Sequence, residues 1–171
     1  AFLVNTMLPH VVPFIHAGQE LGESMPVNTG LDFSNELLAS LKGKKLALFD
    51  LCGYDWDRSH EMFGFVRRVL SLREEFADCV KPTSPETFAK LLTCYSDVIA
   101  FIRGNDEKRV MVLFNRDLEN GYDGELDISW CNPDGATAVQ DMLNDNGVTF
   151  QIEDGKIKYS LQPGQCCFFA W

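Results

Sequence analysis

The sequence predicts an α+β chain whose second half is an all-β antiparallel sandwich. Three observations predict it. Phe65, Val69, Leu72 and Phe76 follow one another at helical spacing and form a single apolar stripe. From about Val98 to Trp171, short apolar–polar alternations succeed one another with turn residues between them. The first 80 residues have a different texture, with helical pieces, a strand-like piece and a long connection.

Taken in order, Phe2 to Leu8 reads as the end of a helix stopped by Pro9. Val11-Val12-Pro13-Phe14-Ile15 is long enough for one buried strand, although Pro13 removes a ladder donor. Gly18 opens a polar loop, Gln19-Glu20-Leu21-Gly22-Glu23. Residues 24–57 then form an excursion containing Pro26, Gly30, Gly43 and Gly53, and connections of such length are usually functional. The apolar stripe gives a helix from about Ser59 to Phe76, with Arg67, Arg68, Arg73, Glu74 and Glu75 off the stripe. Ser84-Pro85-Glu86 has the residues of a helix start: a cap, a proline suited to the first turn and an acid for the dipole. Phe88, Leu91 and Leu92 would be that helix's apolar side.

The strands follow. Val98–Arg103 and Arg109–Arg116 flank Gly104-Asn105-Asp106-Glu107, a hairpin connection. Glu125–Trp130 ends at Asn132-Pro133-Asp134-Gly135, and Thr137–Leu143 ends at Asn144-Asp145-Asn146-Gly147. Thr149–Glu153 and Lys156–Leu161 surround Asp154-Gly155, a two-residue hairpin signal. Gln165–Trp171 follows Pro163-Gly164. Short strands at this spacing argue for a small sandwich.

Composition narrows the function. Fifteen Lys and Arg stand against 25 Asp and Glu, a net charge of −10, which disfavours phosphate-coated and anionic-lipid partners. No apolar run is long enough to span a bilayer, and Ala1-Phe2-Leu3-Val4 lacks the basic flank of a signal peptide. The expected location is cytoplasmic, with no nucleic acid and no membrane as partner. Six cysteines occur without any C-x-x-C pair, which supports neither a zinc ribbon nor a thioredoxin-like motif, and reduced thiols are expected. Aligning Gly147 with the glycine of a calcium loop puts Met142 where the first acidic ligand belongs, so the fit fails. Phosphate-binding and nucleophile-elbow motifs are absent, and no cofactor or metal is expected. The lone histidines His10, His16 and His60 read as structural residues. Asp50, Asp55 and Asp57 beside Tyr54 and Trp56 have the composition of a sugar site, which many ordinary surface loops share.

Leu8-Pro9-His10-Val11-Val12-Pro13-Phe14-Ile15-His16-Ala17-Gly18-Gln19-Glu20-Leu21-Gly22-Glu23 resembles the eighth barrel strand of the α-amylase family of glycoside hydrolases, family thirteen. The pattern there is a helix ending in leucine-proline, an apolar run with a proline, then glycine-any-glutamate. The continuation is similar through Pro26-Val27-Asn28-Thr29-Gly30-Leu31-Asp32-Phe33, Leu48-Phe49-Asp50 and Tyr54-Asp55-Trp56. Phe65-Val66-Arg67-Arg68-Val69-Leu70-Ser71-Leu72-Arg73 looks like the eighth barrel helix. Val112-Leu113-Phe114-Asn115-Arg116 and Leu161-Gln162-Pro163-Gly164-Gln165 are similar to the sandwich that follows the barrel. The order and spacing of these motifs are more specific than any one of them, and together they cover most of the chain.

The resemblance implies the end of a (β/α)8 barrel over 1–80, a connecting helix over 81–94 and a C-terminal sandwich over 95–171. It implies a C-terminal fragment of an α-glucan-active hydrolase or transglycosylase that acts with retention on α-linked glucose oligomers. The family's Asp nucleophile, Glu acid/base and third Asp follow strands four, five and seven; all three would precede Ala1, so no catalytic residue is assigned and the fragment is expected to be inactive. The start at Ala1, without a methionine and inside an apolar pattern, is then expected to mark a cut. Gln19, Glu20 and Asn28 are the expected substrate-binding residues, because loops after barrel strands line the active-site face. The expected partners are an α-glucan oligosaccharide and the missing N-terminal part of the barrel. The apolar faces of Val11–Ile15 and Phe65–Phe76 should seek cover, by self-association or by packing against the sandwich. The rival reading is a non-catalytic carbohydrate-binding or interaction module with Trp56, Trp130 and Trp171 as stacking platforms; against it, Trp130 and Trp171 are expected in or beside the sandwich core.

Overall fold

The computed structural model describes residues 1–23, 27–28, 34–40, 46–47, 56–57, 60–131, 135–144 and 148–171, with 27–28, 37–38 and 46–47 described by backbone alone. The expected sugar-loop residues Asp50, Tyr54 and Asp55, the turns at 132–134 and 145–147, and Cys52 lie outside the described residues. The chain divides into two compact units, Ala1–Pro13 with Arg67–Trp171, and Phe14–Val66.

The first unit is the sandwich with its covering helices. One sheet has the order β10-β5-β4-β3, from Cys166–Ala170, Arg109–Asn115, Val98–Gly104 and Phe88–Lys90. The other has the order β6-β9-β8-β7, from Tyr122–Asp127, Lys156–Leu161, Thr149–Glu153 and Ala138–Gln140. Every pairing in both is antiparallel.

Register explains the core. Ala100 and Cys167 both pair Leu113, and Ile102 and Phe169 both pair Met111, so these residues line one face of the first sheet. They meet Leu126, Phe150, Ile152, Ile157 and Leu161 of the second sheet in one buried cluster, where Phe150 and Phe169 pack edge to face at 5.0 Å. The second sheet alternates buried and exposed along β8 and β9, as a sheet with one wet face must. The first sheet does not alternate: Phe101, Val112 and Phe168 form a second buried row on its opposite face. Helices cover that row. α1 (Phe2–Met7) buries Leu3 and Met7, and Phe76, just beyond α3 (Glu61–Glu75), packs its ring on Phe168 at 5.5 Å. α4 (Ala77–Val80) lies against β4 and β5.

The helical stripe is buried as its spacing implies, at Val69, Leu72 and Phe76. Arg68, off the stripe, donates from Nε and Nη2 to the Met142 carbonyl at 2.9 and 2.6 Å. From Arg67 onward the stripe belongs to the same compact unit as the sandwich, where Phe76 packs on Phe168. Arg103 is fully buried and donates to the carbonyls of Thr87, Met7 and Pro82, tying β4 to the C-terminal end of α1 and to the approach to β3. Asp154 (φ 50°) and Gly155 (φ 72°) give the β8–β9 hairpin the left-handed pair that a tight two-residue turn requires.

Several expectations are corrected. Residues 11–16 form no strand, and Val12 (87%) and Phe14 (80%) are exposed. A parallel barrel strand needs a hydrogen-bonded neighbour, and Pro13 cannot donate. The connecting helix expected over 81–94 is instead a 3-10 turn, Pro85–Thr87, followed by β3. The start signals there are satisfied by one turn. The free edge of β4 then takes the backbone in register, Phe88 opposite Arg103 and Lys90 opposite Phe101. Leu91 is consequently buried while Leu92 is exposed. Thr137–Leu143 shortens to Ala138–Gln140 because the buried Asp141 carboxylate takes the Leu143 and Phe168 amides, each at 3.0 Å. Glu125–Trp130 becomes β6 and a separate 3-10 turn, Ser129–Cys131. Trp171 packs beside the core as expected, but Trp130 is exposed.

The second unit contains a 3-10 turn at Gln19–Leu21, α2 (Asn35–Ser40), and a two-residue parallel ladder in which β1 (Val27–Asn28) pairs β2 (Leu46–Ala47). The first residues of α3, through Val66, belong to this unit. Among the described residues, no helix is long and apolar enough to cross a membrane.

Candidate functional site

Gln19 and Glu20 sit together on the 3-10 turn, held between two left-handed glycines, Gly18 (φ 89°) and Gly22 (φ 64°). The Gly18 carbonyl accepts from Leu21 N and Glu23 N, both at 3.0 Å, so the backbone folds tightly around this residue. Gln19 is exposed; its Oε1 accepts from the His16 amide at 3.4 Å. Leu21 points inward and is buried.

Glu20 is half-buried, and its Oε2 is buried without a hydrogen-bond partner among the described residues. A carboxylate oxygen in that position is costly unless a donor reaches it. Among the described residues, the turn thus holds an acceptor with unused capacity. Asn28 lies on β1 opposite Ala47 and is described by its backbone alone. Gln19 and Glu20 are brought onto one turn; no described contact joins Asn28 to them.

Sequence reading missed the role of His60. Its Nδ1 accepts the Met62 amide at 3.1 Å, which makes His60 a side-chain cap for the first turn of α3 and places the ring proton on Nε2. The imidazole also fills the space over Gly22, where an added Cβ would come within 2.3 Å of Cε1. A histidine one residue before a helix start was the available signal. Trp56 and Asp57 are exposed on a turn. Among the described residues, no three His, Cys, Asp or Glu side chains converge as metal ligands.

No family model matches the chain, and no curated protein matches it. Solved structures do. Maltogenic α-amylase AmyB from Thermotoga neapolitana superposes with a TM-score of 0.66 at 14% identity, over 99% of this chain and 35% of that one. AmyP in complex with maltose gives 0.67 at 13% identity, over 99% and 33%. A cyclomaltodextrinase gives 0.62 at 20% identity, over 99% and 24%. The chain has the fold of the C-terminal portion of an α-amylase-family enzyme. It spans about a third or less of the length of the α-amylase-family structures it matches. In this α-amylase-type fold the two antiparallel sheets correspond to the C-terminal sandwich.

Proposed function

We propose that the chain is the C-terminal portion of an α-amylase-family enzyme that hydrolyses or transfers α-linked glucosyl units with retention. The observation that carries this reading is the superposition of nearly the whole chain, both units included, on a third or less of enzymes of that family. AmyP was solved with maltose, which supports an α-glucan oligosaccharide as the ligand of the parent enzyme.

Residues 1–80 then take the place of the last strand and helix of a (β/α)8 barrel, with 11–16, unpaired among the described residues, in the strand's position, and residues 95–171 buttress it. The exposed Val12 and Phe14 support this reading, since a barrel's remaining strands would cover them. Gln19, Glu20 and Asn28 are the residues assigned to substrate, with Glu20 Oε2 awaiting a sugar hydroxyl or a side chain from the rest of the barrel. The nucleophile and acid/base, about 5 Å apart in retaining enzymes, belong to that remaining part, so the 171 residues alone are inactive. A cytoplasmic location belongs to the same proposal, as does self-association of the isolated chain through the uncovered apolar residues. Incubation with maltooligosaccharides, followed by sugar chromatography, tests the reading. No turnover is expected; release of shorter or longer oligosaccharides by the isolated chain would overturn it.

A further inference from the structure

Trp130 stands 59% exposed, the most solvent-accessible position of any tryptophan described. A large aromatic left in water costs free energy that its neighbours could have recovered by packing. Nor is it a loose tip. Immediately before it, the Ser129 amide and hydroxyl both donate to Asp127 Oδ1, at 3.0 and 2.6 Å. Immediately after it, Cys131 is fully buried, donates its thiol to the Ile128 carbonyl at 3.3 Å and accepts the Trp171 indole N–H at 3.1 Å. The 3-10 turn that carries Trp130 is pinned on both flanks.

Trp130 lines a cavity of about 110 Å³ between β3, the β4–β5 hairpin and this turn. Ile102 contributes to its apolar side, and Glu86, Asn105, Asp106 and Arg109 surround it. Asn105 is fixed, because its Oδ1 accepts the Glu107 and Lys108 amides at 2.9 and 3.0 Å. Arg109 is paired with Asp106 at 2.8 Å, leaving Glu86 as the excess charge. That balance gives phosphates and carboxylates no net positive charge to dock on. The cavity offers one exposed aromatic side chain on a pinned turn and several acceptors and donors at its edge, which suits a neutral ligand with an apolar ring face and a rim of hydroxyls.

We infer that this notch on the sandwich is an auxiliary carbohydrate-binding site, seating one glucosyl ring of an α-glucan against Trp130, away from the Gln19–Glu20 turn in sequence and in compact unit. The choice of α-linked glucose rests on the proposed function; the notch itself rests on the cavity and on the exposed Trp130 carried by a pinned turn.

The test is titration of the full chain with maltoheptaose, followed by backbone amide shifts and tryptophan fluorescence. Saturable shifts at Ala89, Gly104 and Asn105 are expected. Trp130→Ala should weaken binding at least about tenfold, the size of a lost aromatic contact, with unchanged far-UV circular dichroism; Trp130→Phe should restore part of it. Binding unaltered in Trp130→Ala, or no binding at all, would overturn the site while leaving the proposed function standing. Preferential binding of cellohexaose would overturn the α-glucan assignment at this notch, whereas only turnover of maltooligosaccharides by the isolated chain would overturn the proposed function.

Discussion

The imidazole of His60 occupies the space that a side chain on Gly22 would need: an added Cβ would stand 2.3 Å from Cε1, 2.7 Å from Nε2 and 2.8 Å from Nδ1. The same ring caps α3 through the Met62 amide. The glycine after the Gln19–Glu20 turn and the start of the following helix are thereby coupled through one contact. Gly22→Ala meets two penalties, a left-handed backbone costing roughly 1–2 kcal/mol and displacement of the cap. His60→Ala loses the cap, about 1 kcal/mol, and the ring that lies over Gly22. Hydrogen exchange at the Met62 amide reads both directly. Faster exchange is expected in each variant, and unchanged protection in Gly22→Ala would refute the coupling.

Arg103 serves three backbone carbonyls from a fully buried position. Burial first, and Arg73 nearby second, lower its pKa from the ordinary value. Arg103→Met leaves those acceptors without their donor, at roughly 1–3 kcal/mol for each one that water does not reach. Arg103→Lys should also be destabilising, because a single ammonium cannot reproduce the planar fork. Urea unfolding by circular dichroism should show both losses, the Met variant losing at least about 2 kcal/mol. A wild-type midpoint in Arg103→Met would mean that these bonds add nothing to what the apolar contacts and the Arg73 guanidinium, which donates to the Thr6 carbonyl, already hold at α1.

Acid sensitivity should concentrate at Asp117. Its carboxylate accepts from the Asn120 side chain, the Glu119 and Asn120 amides and the Tyr122 hydroxyl, and these bonds, the Asn120 side chain foremost, hold it well below the usual carboxylate range. A carboxyl depressed in the folded state stabilises fully above its unfolded pKa of about 4. That contribution fades as pH falls below this value toward the folded pKa. The difference in urea midpoint between pH 7 and pH 3 should therefore shrink in Asp117→Asn. An identical pH dependence in the variant would remove Asp117 from this role.

Tyr159 lies in the sandwich core with its hydroxyl buried and without a hydrogen-bond partner among the described residues. Tyr159→Phe removes a polar group that gains nothing where it is, so it should be neutral or stabilising by up to about 1 kcal/mol. Loss of more than that on thermal unfolding would reveal a partner for the hydroxyl.

The sandwich was legible in the sequence because its signals are local. Asp154-Gly155 defines a hairpin, and the alternation along Thr149–Glu153 follows from one wet face. The long helix was legible for the same reason. Phe88–Lys90 was not, since nothing in those three residues announces a strand; the free edge of β4 makes it one. Val11–Ile15 carried a strand pattern without a partner to pair with among the described residues. Of the candidate site, the Gly18–Gly22 frame around Gln19 and Glu20 could be anticipated from its glycines. His60 over Gly22 could not, because that contact joins residues 38 positions apart. Trp130 was expected near the core, and only the arrangement of Asp127 and Cys131 around it shows why it points outward instead.

Under the proposed function, this chain completes a barrel begun elsewhere in the same polypeptide. Sequencing the transcript upstream of the Ala1 codon tests it most directly. An uninterrupted reading frame encoding seven further barrel strands is expected, with an Asp after the fourth, a Glu after the fifth and an Asp after the seventh. A start codon immediately before Ala1 would contradict it.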